Sequence, residues 1–165
     1  NVVGSRGSVV PFFKKRVAEG KLPLPVTHTE MTRFWLRLVQ GVEFVVKSFQ
    51  RMRGGEIFVP KIPSVNILDL VEAISGSREY ETIGIRPGEK LHEIMVPEEV
   101  AHQTLEFHDH YVITPAIKFF ERNVDYAENK LREKGKDVSS KFEYHSGTNP
   151  HFLSVEELIE LNKDL

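Results

Sequence analysis

The chain has 165 residues, of which 40% are hydrophobic and 28% charged, as in a folded globular protein of about one domain. Its 22 Lys and Arg against 24 Asp and Glu give a formal net charge of -2, which argues against binding to nucleic acid or an anionic membrane. There is no cysteine, which excludes disulfides and thiolate metal sites and fits a cytoplasmic protein, and no apolar run reaches the ~18 residues of a membrane span.

Strands and helices alternate in the first part of the chain. Residues 2–3 are predicted to end a strand, and Ser8 to cap a helix that stops at Gly20. The clearest helical period covers residues 36–52. We then predict a strand, a helix, a strand and a short helix, at 56–60, 66–74, 80–85 and 88–95.

The character of the sequence changes beyond Pro97. The stretch "TLEFHDHYVIT" at 104–114 predicts a β-hairpin, and the mixed charges of 128–136 predict a solvated helix. Ser154, followed three residues later by Glu157, predicts a capping box that opens a final helix. The alternating elements indicate an α/β fold.

Two cofactor motifs are missing. The opening Gly-Ser-Arg-Gly-Ser lacks the Gly-x-Gly-x-x-Gly spacing of a dinucleotide loop, and no Gly-x-x-x-x-Gly-Lys-Ser/Thr loop occurs. Tyr126 and Lys130 have the Tyr-x-x-x-Lys spacing of a dehydrogenase base, but they lie in the charged stretch with no dinucleotide loop before them. We therefore assign no catalytic and no cofactor-binding residue to this chain.

The segment "IGIRPGEKLHEIM" at 83–95 is the best candidate for an anion site. Pro87 and Gly88 are placed at the predicted start of a helix, and Arg86 precedes them with a planar set of donors. Arginine and a helix N-terminus together suit a diphosphate, while Glu89 could accept from ribose hydroxyls. In the alternative interpretation, Arg86 pairs with a surface carboxylate and Glu89 only favours the helix dipole.

Four motifs in order carry a resemblance to a known family: "NVVGSRGSVVPFF", "MTRFW", "GGEIFVPKIPS" and "GIRPGEKLHE". Together with "FEYHSGTNPHFLSVEEL" they resemble the C-terminal half of the inverting UDP-N-acetylglucosamine 4,6-dehydratases, extended short-chain dehydrogenase/reductases of bacterial capsule and flagellin-sugar pathways. The resemblance implies an α/β portion of such an enzyme that lacks the N-terminal dinucleotide-binding strands. Residues 1–97 would form the nucleotide-sugar-binding portion, and 98–165 the hairpin, charged stretch and final helix.

The resemblance also implies a reaction and its participants. Bound NADP, or NAD, takes a hydride from C4 of the sugar, water is lost across C5 and C6, and the hydride returns to C6 with inversion at C5. The cofactor would be held mainly by an upstream Rossmann half. The expected partners are the UDP-sugar, that upstream half and further copies in a homo-oligomer, with neither nucleic acid nor membrane.

Site residues follow from the resemblance at the matching positions. Arg33 and Arg86 would face the diphosphate, and Glu89 would contact the ribose or uracil. Arg33 could instead form a structural salt bridge to Glu30 or a nearby loop.

The other matching positions lie in the first and third motifs. Asn1 would hydrogen-bond the substrate near the diphosphate, unless it is only a frayed terminus. Ser8 and Val9 would place backbone amides at the nucleotide, or Ser8 is only a helix cap. Lys61 and Ser64 would line the pocket, although Lys61 equally suits a solvated strand end.

Other interpretations of the chain stay open. It could be a non-catalytic sugar-nucleotide-binding module, one half of a split enzyme, or an assembly piece with an exposed apolar face. The His108-Asp109-His110 triplet suits a surface hairpin better than a metal site, and no metal ligand is assigned. The pairs Phe12-Phe13 and Phe119-Phe120 suit a helix core or docking face better than base stacking.

Overall fold

The computed structural model describes residues 2–5, 7–117 and 124–163. The helices are α1 (Val9–Ala18), α2 (Leu38–Arg51), α3 (Ile67–Ser75) and α4 (Val155–Leu161), with a 3-10 helix at Glu98–Gln103. The strands are β1 (Leu24–Val26), β2 (Thr32–Phe34), β3 (Ile57–Pro60), β4 (Ser64–Asn66), β5 (Tyr80–Thr82), β6 (Ile94–Val96), β7 (Thr104–Glu106), β8 (His110–Ile113), β9 (Lys136–Asp137) and β10 (Tyr144–His145). The predicted α/β class is confirmed.

The chain divides into two compact units. The first comprises residues 1–38, 62–93 and 146–165, and the second comprises 39–61 and 94–145. The boundary predicted after residue 97 lies inside the second unit, and it stays a prediction. Within the described part of the chain, no helix combines the length and the apolar character needed to cross a membrane.

Three helices and two strand pairs build the first unit. Strand β1 pairs in parallel with β5, and β2 pairs with β4 in antiparallel register. Helix α3 begins at Asn66, whose side chain accepts from the Leu68 amide, and ends at Gly76 in the left-handed conformation. The core against which α1, α3 and α4 pack includes Val10, Phe13, Leu24, Val26, Trp35, Leu70, Val71 and Leu158.

The predicted capping box of the last helix is confirmed. The Ser154 side chain accepts from the Glu157 amide, and the Glu157 carboxylate accepts from the Ser154 amide. Leu158 follows with no exposed surface, so the box fixes the start of α4 where its apolar residue enters the core.

The second unit contains an antiparallel sheet in the order β3-β8-β7-β9. Its centre is the predicted hairpin, in which β7 pairs with β8 and the Phe107 amide donates to the His110 carbonyl at 2.9 Å. Helix α2 confirms the predicted helix of residues 36–52. One side of α2 carries exposed apolar side chains, namely Leu38, Val39, Val42, Val45, Val46 and Phe49.

Two predicted helices are wrong. Residues 88–95 form a turn at Pro87-Gly88 followed by strand β6, because β6 pairs with β10 far along the chain. Residues 128–136 form a loop closed by a bridge between Glu128 and Lys134, and only the last of them, Lys136, belongs to a strand, β9. A mixed charge run satisfies a loop as well as a solvated helix, so the charges did not discriminate between them.

Candidate functional site

Five of the predicted site residues line one cleft of about 530 Å³ in the first unit. They are Ser8, Val9, Arg33, Arg86 and Glu89. The remaining walls come mainly from α1 and the segment around β1, with one residue each from α3 and from the segment after β5, namely Gly7, Pro11, Phe12, Phe13, Lys15, Pro25, Val26, Thr27, Met31, Ile67 and Ile83. Positive side chains therefore meet an apolar wall in a cavity of the size usual for small-molecule sites.

The N-terminal end of α1 forms one wall of the cleft. Ser8 has the extended backbone of an N-cap residue, but its side chain makes no capping hydrogen bond. The Ser8 hydroxyl is buried and has no hydrogen-bond partner among the described residues. Phe12 and Lys15 follow at the spacing of one helix face, which brings both to the cleft.

Arg33 is held in place by backbone oxygens and by a carboxylate. Its Nη1 atom donates to the carbonyl oxygens of Thr32 at 2.7 Å and Leu91 at 3.1 Å. Its Nε atom lies 3.6 Å from a carboxylate oxygen of Glu93, and 26% of the Arg33 side chain is exposed. The salt bridge thus forms with Glu93 rather than with Glu30, while the guanidinium still lines the cleft.

Arg86 and Glu89 bracket a tight turn. The Glu89 amide donates to the Arg86 carbonyl at 3.0 Å, and the Arg86 amide donates to the Glu89 carboxylate at 3.0 Å. Pro87 and Gly88, with φ of 84° at Gly88, occupy the central positions as in a type II turn. Residues 88–95 are not helical, so the helix N-terminus predicted directly after Arg86 is not formed there. Among the described residues the Arg86 guanidinium has no ion pair, contrary to the surface-pair alternative.

A second cavity of about 240 Å³ in the same unit shares Ser8, Val9 and Arg33 with the cleft. Trp35 and Glu93 also line it, and valines supply much of its apolar surface. Trp35 is 4% exposed, and its Nε1 atom has no hydrogen-bond partner within the described ranges. Two residues that line this cavity, Ser8 and Trp35, thus have buried donor groups with no acceptor in the described part of the chain.

Two predicted site residues lie outside the cleft lining, and a third is not described. Lys61 belongs to the second unit, donates to Glu106 and to the Phe107 carbonyl at 2.7 Å each, and lines neither cavity. Ser64 is completely buried and accepts from Asn149 at 2.9 Å. Asn1 is outside the described residues. The substrate roles of all three stay predictions.

Patterns that suggested other chemistry are accounted for by structural contacts. The Tyr126 hydroxyl donates to the Gly54 carbonyl at 2.8 Å, and Lys130 lies in the loop that replaces the predicted helix. His108 is exposed whereas His110 is buried, so the two side chains do not share one face of a strand. Among the residues described, no three His, Asp or Glu side chains are grouped to hold a metal ion. The pair Phe119-Phe120 lies outside them.

Sequence reasoning missed Lys15 and Glu93. The helical spacing of Ser8 and Lys15 was a usable signal, because residues seven positions apart lie on the same helix face. Glu93 approaches Arg33 only through the fold, since 60 positions separate them.

A family model described as "Polysaccharide biosynthesis protein" matches residues 1–115. The chain belongs to this polysaccharide biosynthesis protein family. Its match to the family model covers the whole of the cleft, from Gly7 to Glu89.

Individual relatives of this polysaccharide biosynthesis family member give the same result. The chain is 53% identical over 161 residues to the UDP-N-acetylglucosamine 4,6-dehydratase (inverting) of Campylobacter jejuni, covering 98% of this chain and 48% of that protein. It is 34% identical to the UDP-glucose 4-epimerase of Rickettsia conorii, covering 98% of this chain and 46% of that protein. The predicted resemblance to the inverting dehydratases is confirmed.

A solved structure shares the fold. The X-ray structure of Pen from Bacillus thuringiensis matches with a TM-score of 0.75 and 30% sequence identity, covering 98% of this chain and 47% of that chain. This polysaccharide biosynthesis protein chain spans about half the length of the curated relatives it matches.

Proposed function

We propose that this chain is the substrate-binding part of a nucleotide-sugar 4,6-dehydratase in bacterial surface polysaccharide or glycan biosynthesis. Its ligand is UDP-N-acetylglucosamine, and the complete reaction gives a 4-keto-6-deoxy sugar nucleotide with inversion at C5. One observation carries the proposal: Arg33 and Arg86 line the same cleft, although 53 positions separate them in the sequence.

Two guanidinium groups suit a diphosphate because each presents several donors in a plane. Arg33 is already oriented by Thr32, Leu91 and Glu93, so little of its motion is lost on binding. Charge-assisted hydrogen bonds of this kind contribute about 1.5 to 3 kcal/mol each. Lys15 adds a third positive charge to the lining.

The rest of the cleft suits a nucleoside. The Glu89 carboxylate is an acceptor for ribose hydroxyls, and the turn that it closes keeps it beside Arg86. Phe12, Pro25 and Val26 offer an apolar wall to the uracil. Backbone amides of Ser8 and Val9 supply donors at the start of α1.

Asn1 keeps its proposed place near the diphosphate, and Lys61 and Ser64 keep theirs in the lining of the substrate pocket. Their proposed roles rest on the resemblance alone, since neither Lys61 nor Ser64 lines the cleft.

The two named relatives support UDP as the shared part of the ligand. One is a UDP-N-acetylglucosamine dehydratase and the other a UDP-glucose epimerase, so their substrates share the UDP group and differ in the sugar. A cleft that binds its ligand through the diphosphate and the nucleoside suits the substrates named for both relatives.

The residues of this chain do not fit a nicotinamide cofactor. The 165 residues contain no Gly-x-Gly-x-x-Gly loop, and neither Tyr126 nor Lys130 is among the residues that line the cleft. We therefore derive no catalytic step from this chain. NADP, or NAD, would be bound mainly by an upstream Rossmann half, in a cytoplasmic homo-oligomer.

A second candidate function, as an assembly module, is favoured by one observation. Helix α2 exposes six apolar side chains, each more than half accessible, along the side defined above. In this candidate a second copy of the chain covers that face. Sedimentation velocity of the chain and of α2 variants tests this candidate.

Calorimetric titration of the chain with UDP, and then with UDP-N-acetylglucosamine, tests the first proposal. We expect UDP to bind and Arg86→Ala to weaken binding about 10- to 100-fold, the equivalent of the one or two hydrogen bonds lost. Arg78→Ala is the matched control, because Arg78 pairs with Asp69 and Glu72 and does not line the cleft. A folded chain that binds no UDP, or equal affinities for Arg86→Ala and the parent, would contradict the proposal.

A further inference from the structure

Ser146, in the C-terminal motif "FEYHSGTNPHFLSVEEL", lies against the loop that contains Glu93. The Ser146 amide donates to the Glu93 carbonyl at 2.8 Å, and the Glu93 amide donates to the Ser146 hydroxyl oxygen at 2.9 Å. Both bonds lie within the first unit. They join Ser146 to Glu93, 53 positions earlier in the chain, and the carboxylate of Glu93 is the one that pairs with Arg33.

The same hydroxyl also contacts the strand that carries Arg33. Ser146 Oγ lies 2.7 Å from Thr32 Oγ1 and donates to the Thr32 carbonyl at 3.2 Å. That carbonyl also accepts from Arg33 Nη1 at 2.7 Å. Ser146 has no exposed surface and Thr32 is 5% exposed, so water does not compete for these bonds.

One assignment of hydrogens satisfies the whole network. His92 Nδ1 lies 2.8 Å from Thr32 Oγ1 and donates to it, Thr32 then donates to Ser146, and Ser146 donates to the Thr32 carbonyl. The Ser146 oxygen therefore accepts from Thr32 and from the Glu93 amide while it donates its own hydrogen. Only a hydroxyl group fills all of these roles at once.

Gly147 keeps the space that this arrangement needs. A Cβ atom at Gly147 would lie 2.7 Å from His92 Nδ1 and 2.8 Å from its Cγ. Any side chain at this position would move the imidazole that donates to Thr32. The sequence Ser146-Gly147 thus supplies a hydroxyl and an empty volume at adjacent positions.

We propose that Ser146 is a positioning residue for the diphosphate end of the cleft. Ser146 fixes the Thr32 carbonyl, which accepts from Arg33 Nη1. It also fixes the main chain of Glu93, whose carboxylate pairs with Arg33 Nε. Ser146 itself does not line the cleft. This inference rests on the proposed function, in which Arg33 binds the UDP diphosphate. It gives the C-terminal motif a role in substrate affinity.

A double-mutant cycle on UDP affinity tests the inference. Ser146→Ala is expected to weaken UDP binding about tenfold, which corresponds to about 1.4 kcal/mol. In the Arg33→Lys background the same change is expected to cost nothing further, because the group that Ser146 orients is gone. Ser75→Ala is the control. Like Ser146, Ser75 donates to a backbone carbonyl, at 2.8 Å, and does not line the cleft, but the carbonyls that it contacts are those of Val71 and Ser77.

Two results would overturn the inference. One is unchanged UDP affinity in folded Ser146→Ala, and the other is an equal loss in the parent and Arg33→Lys backgrounds. Should Ser146→Ala fail to fold, the pair Thr32→Val and Thr32→Ser replaces it. The valine variant removes the hydroxyl and should lose affinity, whereas the serine variant retains the hydroxyl and should restore it.

A ligand-free measurement separates this inference from the proposed function. In NMR spectra of the chain, the Arg33 Nε–H resonance, assigned with Arg33→Lys, is expected to exchange slowly with solvent and to exchange faster in Ser146→Ala. If the parent chain binds no UDP while this difference is observed, the proposed function fails and the positioning role stands. An Arg33 resonance that is identical in both proteins rejects the positioning role itself.

Discussion

Arg51 donates through Nη2 to both carboxylate oxygens of Asp109, each at 2.8 Å, although the Arg51 side chain has no exposed surface. Its Nε atom donates to Glu133 at 2.7 Å. Burial acts to lower the pKa of Arg51, but the hydrogen bonds to Glu133 and Asp109 outweigh it and raise the pKa. A single buried cation therefore joins α2, the hairpin turn and the loop at 128–136 in the second unit.

We expect Arg51→Ala to lower the free energy of unfolding by about 3 kcal/mol, at the lower end for a broken buried ion pair. The lower end applies because the carboxylates of Asp109 and Glu133 are 38% and 37% exposed and regain water. Urea unfolding followed by circular dichroism measures the change. Lys47→Ala is the control: it removes another cation from Asp109, but one that is 47% exposed, and should change stability much less. Equal losses of unfolding free energy in the two variants would show that the burial of Arg51 does not increase its contribution to stability.

The stability of the second unit should also depend on pH through His110. This histidine has no exposed surface and lies against Phe107, with ring centroids 4.6 Å apart. Burial lowers the pKa of His110 from its ordinary value of 6.5, so the unfolded chain binds a proton first as the pH falls. Stability is therefore lost as the pH falls below about 6.5.

Urea midpoints measured between about pH 7 and pH 5 test this dependence. In His110→Phe the midpoint should vary less over this range, whatever the absolute stability of the variant. His108→Gln is the control, because His108 is exposed on the same turn, and it should keep the parent's slope. A parent slope retained in His110→Phe would show that another group titrates.

The carboxylates of the same cluster act at lower pH. Burial raises the pKa of Asp109, but hydrogen bonds from Arg51, His110 and Lys47 outweigh it, so this pKa lies well below its ordinary value. A hydrogen bond from Arg51 lowers the pKa of Glu133. The stability that these groups supply is present above about pH 4 and is lost as the pH falls further. In Arg51→Ala, unfolding midpoints measured below about pH 4 should therefore fall less steeply than in the parent.

The turn at Pro87-Gly88 gives a prediction that separates stability from binding. Gly88 has φ of 84°, so Gly88→Ala should cost about 1 kcal/mol of stability through backbone strain, although an added Cβ meets no atom within 4 Å. The strained turn should also displace Arg86 and weaken UDP binding in calorimetry.

Gly20→Ala is the matched control for that turn. Gly20 has φ of 65°, its added Cβ likewise meets no atom within 4 Å, and it does not line the cleft. We expect a similar loss of stability with unchanged UDP affinity. If both variants bind UDP as well as the parent, the turn does not position Arg86.

How far the sequence predicts this molecule depends on the range of each interaction. The capping box of Ser154 and Glu157 and the helical period of 36–52 are local, and both were predicted correctly. Pro87-Gly88 suits a helix start and a type II turn equally, and the pairing of β6 with β10 decides between them. The hydroxyl pair of Thr32 and Ser146 spans 114 positions, so no local pattern indicates it.

The exposed side of α2 yields the last prediction. Its six apolar side chains, from Leu38 to Phe49, are each 53% to 68% accessible, which is a costly surface to leave in water. If two copies of the chain associate through this side, sedimentation velocity will show a species that grows with concentration, and Val42→Glu with Phe49→Glu will abolish it. Ser140→Glu, which adds the same charge at an exposed loop position of the second unit, should leave association unchanged. A chain that remains monomeric over the whole concentration range would show that this side of α2 does not bind a second copy. Association that persists in the α2 variants would show that the interface lies on another surface.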